Sequence, residues 1–124
     1  MTETLDLEPG PAAVGTLLGL GGLCFLLEPV VDPVPVGGLA VRPVALSAVA
    51  LAAGFTLGAV VFYRRGRGLF ALAHAVFGVA WTALVVGTAT GSGVVLVGGV
   101  VVVIAGCGFL AGESARRRRS GSRR

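Results

Sequence analysis

Charged residues and prolines cut this chain into long uncharged stretches, and their lengths set the first expectation. Pro9 to Leu27 carries no charge and is followed by Glu28-Pro29 and Asp32-Pro33-Val34-Pro35. Prolines at that density end a helix, so a first apolar helix is expected over about residues 12–31. Pro43 to Tyr63 is a second uncharged run, of 21 residues. It opens on proline, which suits a first helical turn. It closes on Phe62-Tyr63-Arg64-Arg65, the aromatic-then-basic order of a membrane–water interface.

Gly68 to Gly112 then holds no Asp, Glu, Lys or Arg. As one straight helix those 45 residues would reach roughly 67 Å, about twice the hydrocarbon core of a bilayer. The run must fold back, and Thr88-Ala89-Thr90-Gly91-Ser92-Gly93 is the small, polar break where it does so. Helices are predicted over 69–87 and 93–112. The last is rich in valine (Val94-Val95-Leu96-Val97, Val100 to Ile104), which in water reads as strand. In a bilayer an isolated strand leaves its backbone unpaired, so helix is expected. A barrel is excluded because the apolar runs are continuous and do not alternate.

The pattern therefore predicts an all-α membrane protein, a bundle of four transmembrane helices built as two helical hairpins. Its parts are an acidic tail over 1–11, a membrane domain over 12–112 and a basic tail over 113–124. The composition agrees: 124 residues, 55% hydrophobic, 13% charged and mean hydropathy +0.93. A water-soluble domain of this length has too much surface for its volume to hide so much apolar side chain.

Charge sets the expected orientation. The net charge is +4, and every basic residue is arginine. Nine of the ten arginines fall in two places, Arg64-Arg65-Gly66-Arg67 and Arg116 to Arg124; the other is Arg42. With four spans both clusters lie on one side, which the positive-inside rule makes cytoplasmic. A multi-pass protein of the cell membrane with N- and C-termini in the cytoplasm is expected. The first ten residues carry Glu3, Asp6 and Glu8 without a basic residue, the wrong sign for a cleaved signal peptide. The Arg116–Arg124 segment reads first as a topology anchor. It also suits anionic lipid headgroups, whereas specific nucleic-acid recognition is not expected.

Small residues are the packing signal. Gly54-Phe55-Thr56-Leu57-Gly58 and Gly108-Phe109-Leu110-Ala111-Gly112 share the pattern GFxxG, Gly15 and Gly19 form a third four-residue pair, and Ala71, Ala75, Gly78 and Thr82 make a stripe. Such strips let a second helix backbone approach. They serve contacts inside one chain or a seam with a second copy or another membrane protein. The repeated GFxxG also raises a duplicated hairpin.

Candidate chemistry is sparse. His74 is the one histidine and lies inside a span. Intramembrane ionisable groups mark functional sites or find a local partner; the expected partner is a neighbouring carbonyl or hydroxyl, such as that of Thr56. Glu28, Asp32 and Arg42 gather near the outer surface and can pair. Cys24 and Cys107 are expected to be free thiols at different depths. There is no serine with a base, no phosphate loop and no metal-ligand spacing. Neither catalysis nor a cofactor nor a metal is expected, and no residue is assigned to such a site. The expected function is that of a non-enzymatic structural or partner-binding membrane protein. The alternative is a small transporter or channel subunit.

Arginine without lysine, the Met1-Thr2-Glu3-Thr4 start and spans of Ala, Val, Gly and Leu together resemble the small, uncharacterised multi-span membrane proteins of extremely halophilic archaea, a style also found in GC-rich bacteria. This resemblance implies a membrane protein and carries over no functional residue. Size and span number also resemble the small multidrug resistance transporters. Those carry a glutamate in the middle of the first span, whereas Glu28 stands near the end of this one.

Overall fold

The computed structural model describes residues 8–121. Glu3 and Asp6 of the expected acidic tail, and Arg123 and Arg124 of the basic one, lie outside them. Four helices follow in order: α1 (Pro9–Leu27), α2 (Pro43–Arg64), α3 (Gly68–Thr90) and α4 (Gly93–Gly121). Each is long and apolar enough to cross a membrane. The valine-rich fourth run is helical, as the need to satisfy its backbone in lipid demands.

The helix ends differ from expectation for local reasons. α1 starts at Pro9 because prolines are tolerated in a first turn, whose N–H groups have no helical partner. It stops at Leu27, four residues short of the expected end, where Glu28-Pro29 turns the chain. α4 does not stop at Gly112 but continues to Gly121. Its 29 residues rise about 43 Å, beyond a hydrocarbon core of about 30 Å. Arg118 and Arg119 in its last turn suit the negative end of the helix dipole.

Two of the connections are tight glycine stops. Gly66 (φ 70°) and Gly91 (φ 65°) take the left-handed conformation. Beyond them Arg67 N–H donates to the Phe62 carbonyl and Ser92 N–H to the Gly87 carbonyl, both at 2.9 Å. These are the six-to-one bonds of Schellman caps. The α1–α2 connection contains a β-hairpin, β1 (Val34–Val36) and β2 (Leu39–Val41), paired antiparallel. Gly37 and Gly38, both with positive φ, make the two-residue turn that such hairpins favour.

Each helix packs on its chain neighbour. The extensive interfaces are α1–α2, α2–α3 and α3–α4, so the bundle is a row with α1 and α4 at its edges. A glycine stands at each contact. A Cβ at Gly21 would lie 2.7 Å from Leu51 Cγ, one at Gly54 2.9 Å from Leu18 Cδ2, and one at Gly87 2.7 Å from Leu96 Cδ2. Gly58 lies under the His74 ring, Gly78 against the Thr56 backbone, Gly99 against Ala83, and Gly106 against Val76.

Not every glycine strip is used in this way. Gly15, Gly19, Gly108 and Gly112 have nothing within 4 Å of a built Cβ. The two GFxxG runs are therefore not equivalent: the first packs in the row and the second faces outward. On α3, Ala71 and Gly78 are buried, while Ala75 and Thr82 line an open groove.

Gly58→Leu and Gly78→Leu should each lower thermal stability in detergent by about 1–3 kcal/mol, the usual cost of overpacking. Gly108→Leu should leave the monomer's stability unchanged. Equal responses at all three positions would contradict the packing described.

Candidate functional site

The polar side chains gather in three places. At one end of the row, Glu28 serves two partners. Its Oε1 lies 2.8 Å from Arg42 Nε, and its Oε2 accepts the Val44 N–H at 2.8 Å. The second bond matters more. Pro43 opens α2, and Val44 carries one of the N–H groups that the helix itself cannot satisfy. Glu28 thus acts as an N-terminal cap from 16 residues away, with its negative charge at the positive end of the helix. The expected pairing of Glu28 with Arg42 is present, whereas Asp32 has no ion pair among the described residues. Nor do three His, Cys, Asp or Glu side chains converge as metal ligands among them.

The second place is His74. Its Nδ1 lies 2.8 Å from the Phe70 carbonyl. A carbonyl only accepts, so Nδ1 carries the hydrogen and donates. The partner is thus a carbonyl, as anticipated, but not the Thr56 hydroxyl, which donates to Ala52 O at 2.7 Å. The ring sits between Phe62 and Phe55, at centroid distances of 4.8 and 5.7 Å, and Phe55 stacks on Phe77 at 5.3 Å. Gly58 makes room for it. Trp81 does not join this cluster; it lines a groove of about 260 Å³ against Leu96 and Gly99 of α4.

Grooves also run along α2 and α3, with volumes of about 560 and 580 Å³. Thr56, Val60 and Thr82 line both, and Ala75 and Ala83 extend the second. These grooves are less polar than the two threonines imply. Thr82 donates to Gly78 O at 2.7 Å, so both hydroxyls are engaged by their own helices. His74 lines neither groove. Ser47, fully buried early in α2, has no hydrogen-bond partner for its hydroxyl.

The third place is the opposite end of the row, which holds Arg64, Arg65 and Arg67 and the extension of α4. Arg65 pairs with Glu8 at the head of α1, and Arg117 pairs with Glu113 one turn back at 3.1 Å. Arg116, Arg118 and Arg119 have no ion-pair partner among the described residues. Cys24 and Cys107 are both free.

Sequence reasoning missed the capping role of Glu28, because acceptor and donor are separated by the hairpin. The hairpin itself had a signal, a Gly-Gly pair between Val34-Pro35-Val36 and Leu39-Ala40-Val41. Comparison with protein-family models, curated proteins and solved structures finds no match.

Glu28→Gln keeps the shape but removes the charge, and Glu28→Ala removes both the cap and the ion pair. The alanine variant should lose about 0.5–2 kcal/mol, the usual worth of a cap. Arg42→Gln should lose less, about 0–1 kcal/mol, because the pair is solvent-exposed on the arginine side. Thermal unfolding in detergent measures both; a larger loss from Arg42→Gln would make the ion pair, and not the cap, the main role of Glu28.

Proposed function

We propose that this chain is a non-enzymatic multi-pass protein of the cell membrane that works by binding other membrane-embedded polypeptide, with both termini in the cytoplasm. The observation that carries this reading is the open glycine on the outer helices. Gly15, Gly19 and Gly22 on α1, and Gly98, Gly108 and Gly112 on α4, have nothing within 4 Å of a built Cβ. Glycine in a helix interior is unfavourable by about 1 kcal/mol relative to alanine. In a membrane its use is close backbone approach, and these positions have no helix of their own chain to approach.

Orientation rests on charge. Arg64, Arg65, Arg67 and Arg116–Arg119 lie at one end and Arg42 at the other, which favours the first as the cytoplasmic end. The α4 extension there suits anionic lipid headgroups, at about 1 kcal/mol per arginine near the surface.

A second reading, a small transporter or channel subunit, draws on the grooves along α2 and α3 and on His74. A conducting path needs polar groups facing one lumen. The engaged hydroxyls of Thr56 and Thr82, and the place of His74 outside both grooves, give that reading less support.

Two experiments test the proposal in a Cys24→Ala, Cys107→Ala background. Ser92→Cys and Ser120→Cys should label from opposite sides of the membrane, with Ser120→Cys reached from the cytoplasm; labelling from one common side would rule out four spans. Photo-crosslinkers at Gly15 and Gly108 should form adducts with polypeptide in native membranes. Adducts with lipid alone would defeat the partner-binding reading.

A further inference from the structure

The two grooves along α2 and α3 form one trough, because Thr56, Val60 and Thr82 line both. Its α2 wall runs from Val49 to Val60, and its α3 wall runs from Ala75 to Val86. Each wall is about 16 Å long at the rise of an α-helix. One leaflet of a bilayer holds about 15 Å of hydrocarbon, half of the core. The lining is aliphatic or small, and the hydroxyls of Thr56 and Thr82 are engaged by their own helices. The trough therefore offers apolar contact over the depth of one acyl chain, with no unengaged polar side chain along it.

One end of the trough is marked by charge. Arg64 follows Val60 by four residues, and Tyr63 follows Ala59 by four, so both continue the trough's face of α2. A helical side chain leans toward the N-terminus of its helix. The stems of Arg64 and Tyr63 thus lean back over Val60 and Ala59, toward the mouth of the trough, and both side chains are exposed. Arg65, one residue on, serves a different face, where it pairs with Glu8 of the α1 end. Arg64 has no ion-pair partner among the described residues. No acidic residue lines the trough. A topology marker needs only positive charge on the correct side of the membrane; it gains nothing from standing in line with an apolar trough.

We propose that the trough seats one acyl chain of an anionic phospholipid whose phosphate lies on Arg64, with the Tyr63 hydroxyl as a second donor. Such a lipid matches both parts of the site: an apolar chain for the trough, and phosphate oxygens for the paired N–H donors of the guanidinium. A free phosphate would leave the trough empty. A partner's transmembrane helix, about 10–12 Å across with its side chains, would run on past the trough into the other leaflet and gain nothing from the arginine. The site is distinct from the α4 extension, since α4 shares no extensive interface with α2. It depends on the helices spanning a bilayer and not on the partner-binding role of α1 and α4.

The test titrates the full chain, purified in mild detergent, with dioleoylphosphatidylglycerol or dioleoylphosphatidylcholine, and counts bound lipid by native mass spectrometry. One phosphatidylglycerol should be retained where phosphatidylcholine is retained several-fold less; equal retention would overturn the role of charge. Arg64→Gln should lower phosphatidylglycerol occupancy several-fold, whereas Arg119→Gln, the same charge change on α4, should not. An equal or larger loss from Arg119→Gln would place the lipid on the α4 extension and overturn the site. Thr82→Phe fills the trough from an exposed position and should lower occupancy as much as Arg64→Gln, with thermal unfolding of the lipid-free chain as the check on its fold. Full occupancy in a folded Thr82→Phe variant would overturn the acyl-chain seat, and so would displacement of the lipid by inorganic phosphate. If Thr82→Phe does not fold, Val60→Phe fills the same trough. In native membranes a photo-crosslinker at Val79, on the rim of the trough, should take up lipid; an adduct with polypeptide there would overturn lipid as the occupant.

Discussion

Helices in a hydrocarbon solvent gain nothing from hiding apolar side chains, because lipid tails solvate leucine as well as another helix does. What remains is close contact, and in this chain close contact is made by glycine. Gly21 and Gly54 seat α1 on α2, Gly58 and Gly78 seat α2 on α3, and Gly87, Gly99 and Gly106 seat α3 on α4. The rest of the arrangement depends on these positions. They let ridges of Leu17, Leu18, Leu51, Val76 and Leu96 lie over bare backbone. The few buried side chains, such as Val14, Ala48 and Ala71, are consequences of that approach.

Polar groups are handled with equal economy. Thr16, Thr56, Thr82, Thr88 and Thr90 each donate to a carbonyl four residues back, and His74 uses the carbonyl at the same spacing. A hydroxyl in lipid is costly without an acceptor, and its own helix offers one. Two groups depart from this pattern: the buried Ser47 hydroxyl has no partner, and Glu28 bonds outside its own helix. It reaches across the hairpin to α2 and ties the start of one helix to the end of another. The residue whose charge ends the first apolar stretch is thus the one that orders the connection after it.

Much of this fold was legible in the sequence. Span number followed from charge-free lengths against bilayer thickness, and so did the fold-back, though Thr88-Ala89-Thr90 stays helical and the helix ends only at the left-handed Gly91. The candidate site was less legible. The two GFxxG runs are alike residue by residue, yet Gly54 and Gly58 are enclosed while Gly108 and Gly112 are open. The difference lies in the number of neighbours: α2 has a helix on two sides and α4 on one. A motif reports what a helix can accept, not whether anything comes to it. The continuation of α4 to Gly121 was hidden for a related reason. Arginine is a good helix former, but beside an apolar span it reads first as a topology marker.

Because each helix packs on its neighbours in the chain, the row needs no contact between its first and last helices to become stable. The α1–α2 pair, with Glu28 already on Val44, is complete before α3 is made. α3 then finds its whole interface on α2, and α4 finds its own on α3. Contacts this local in sequence form quickly. During synthesis α2, α3 and α4 each meet a neighbour that has already been made, so the order of translation is also the order in which the interfaces become available.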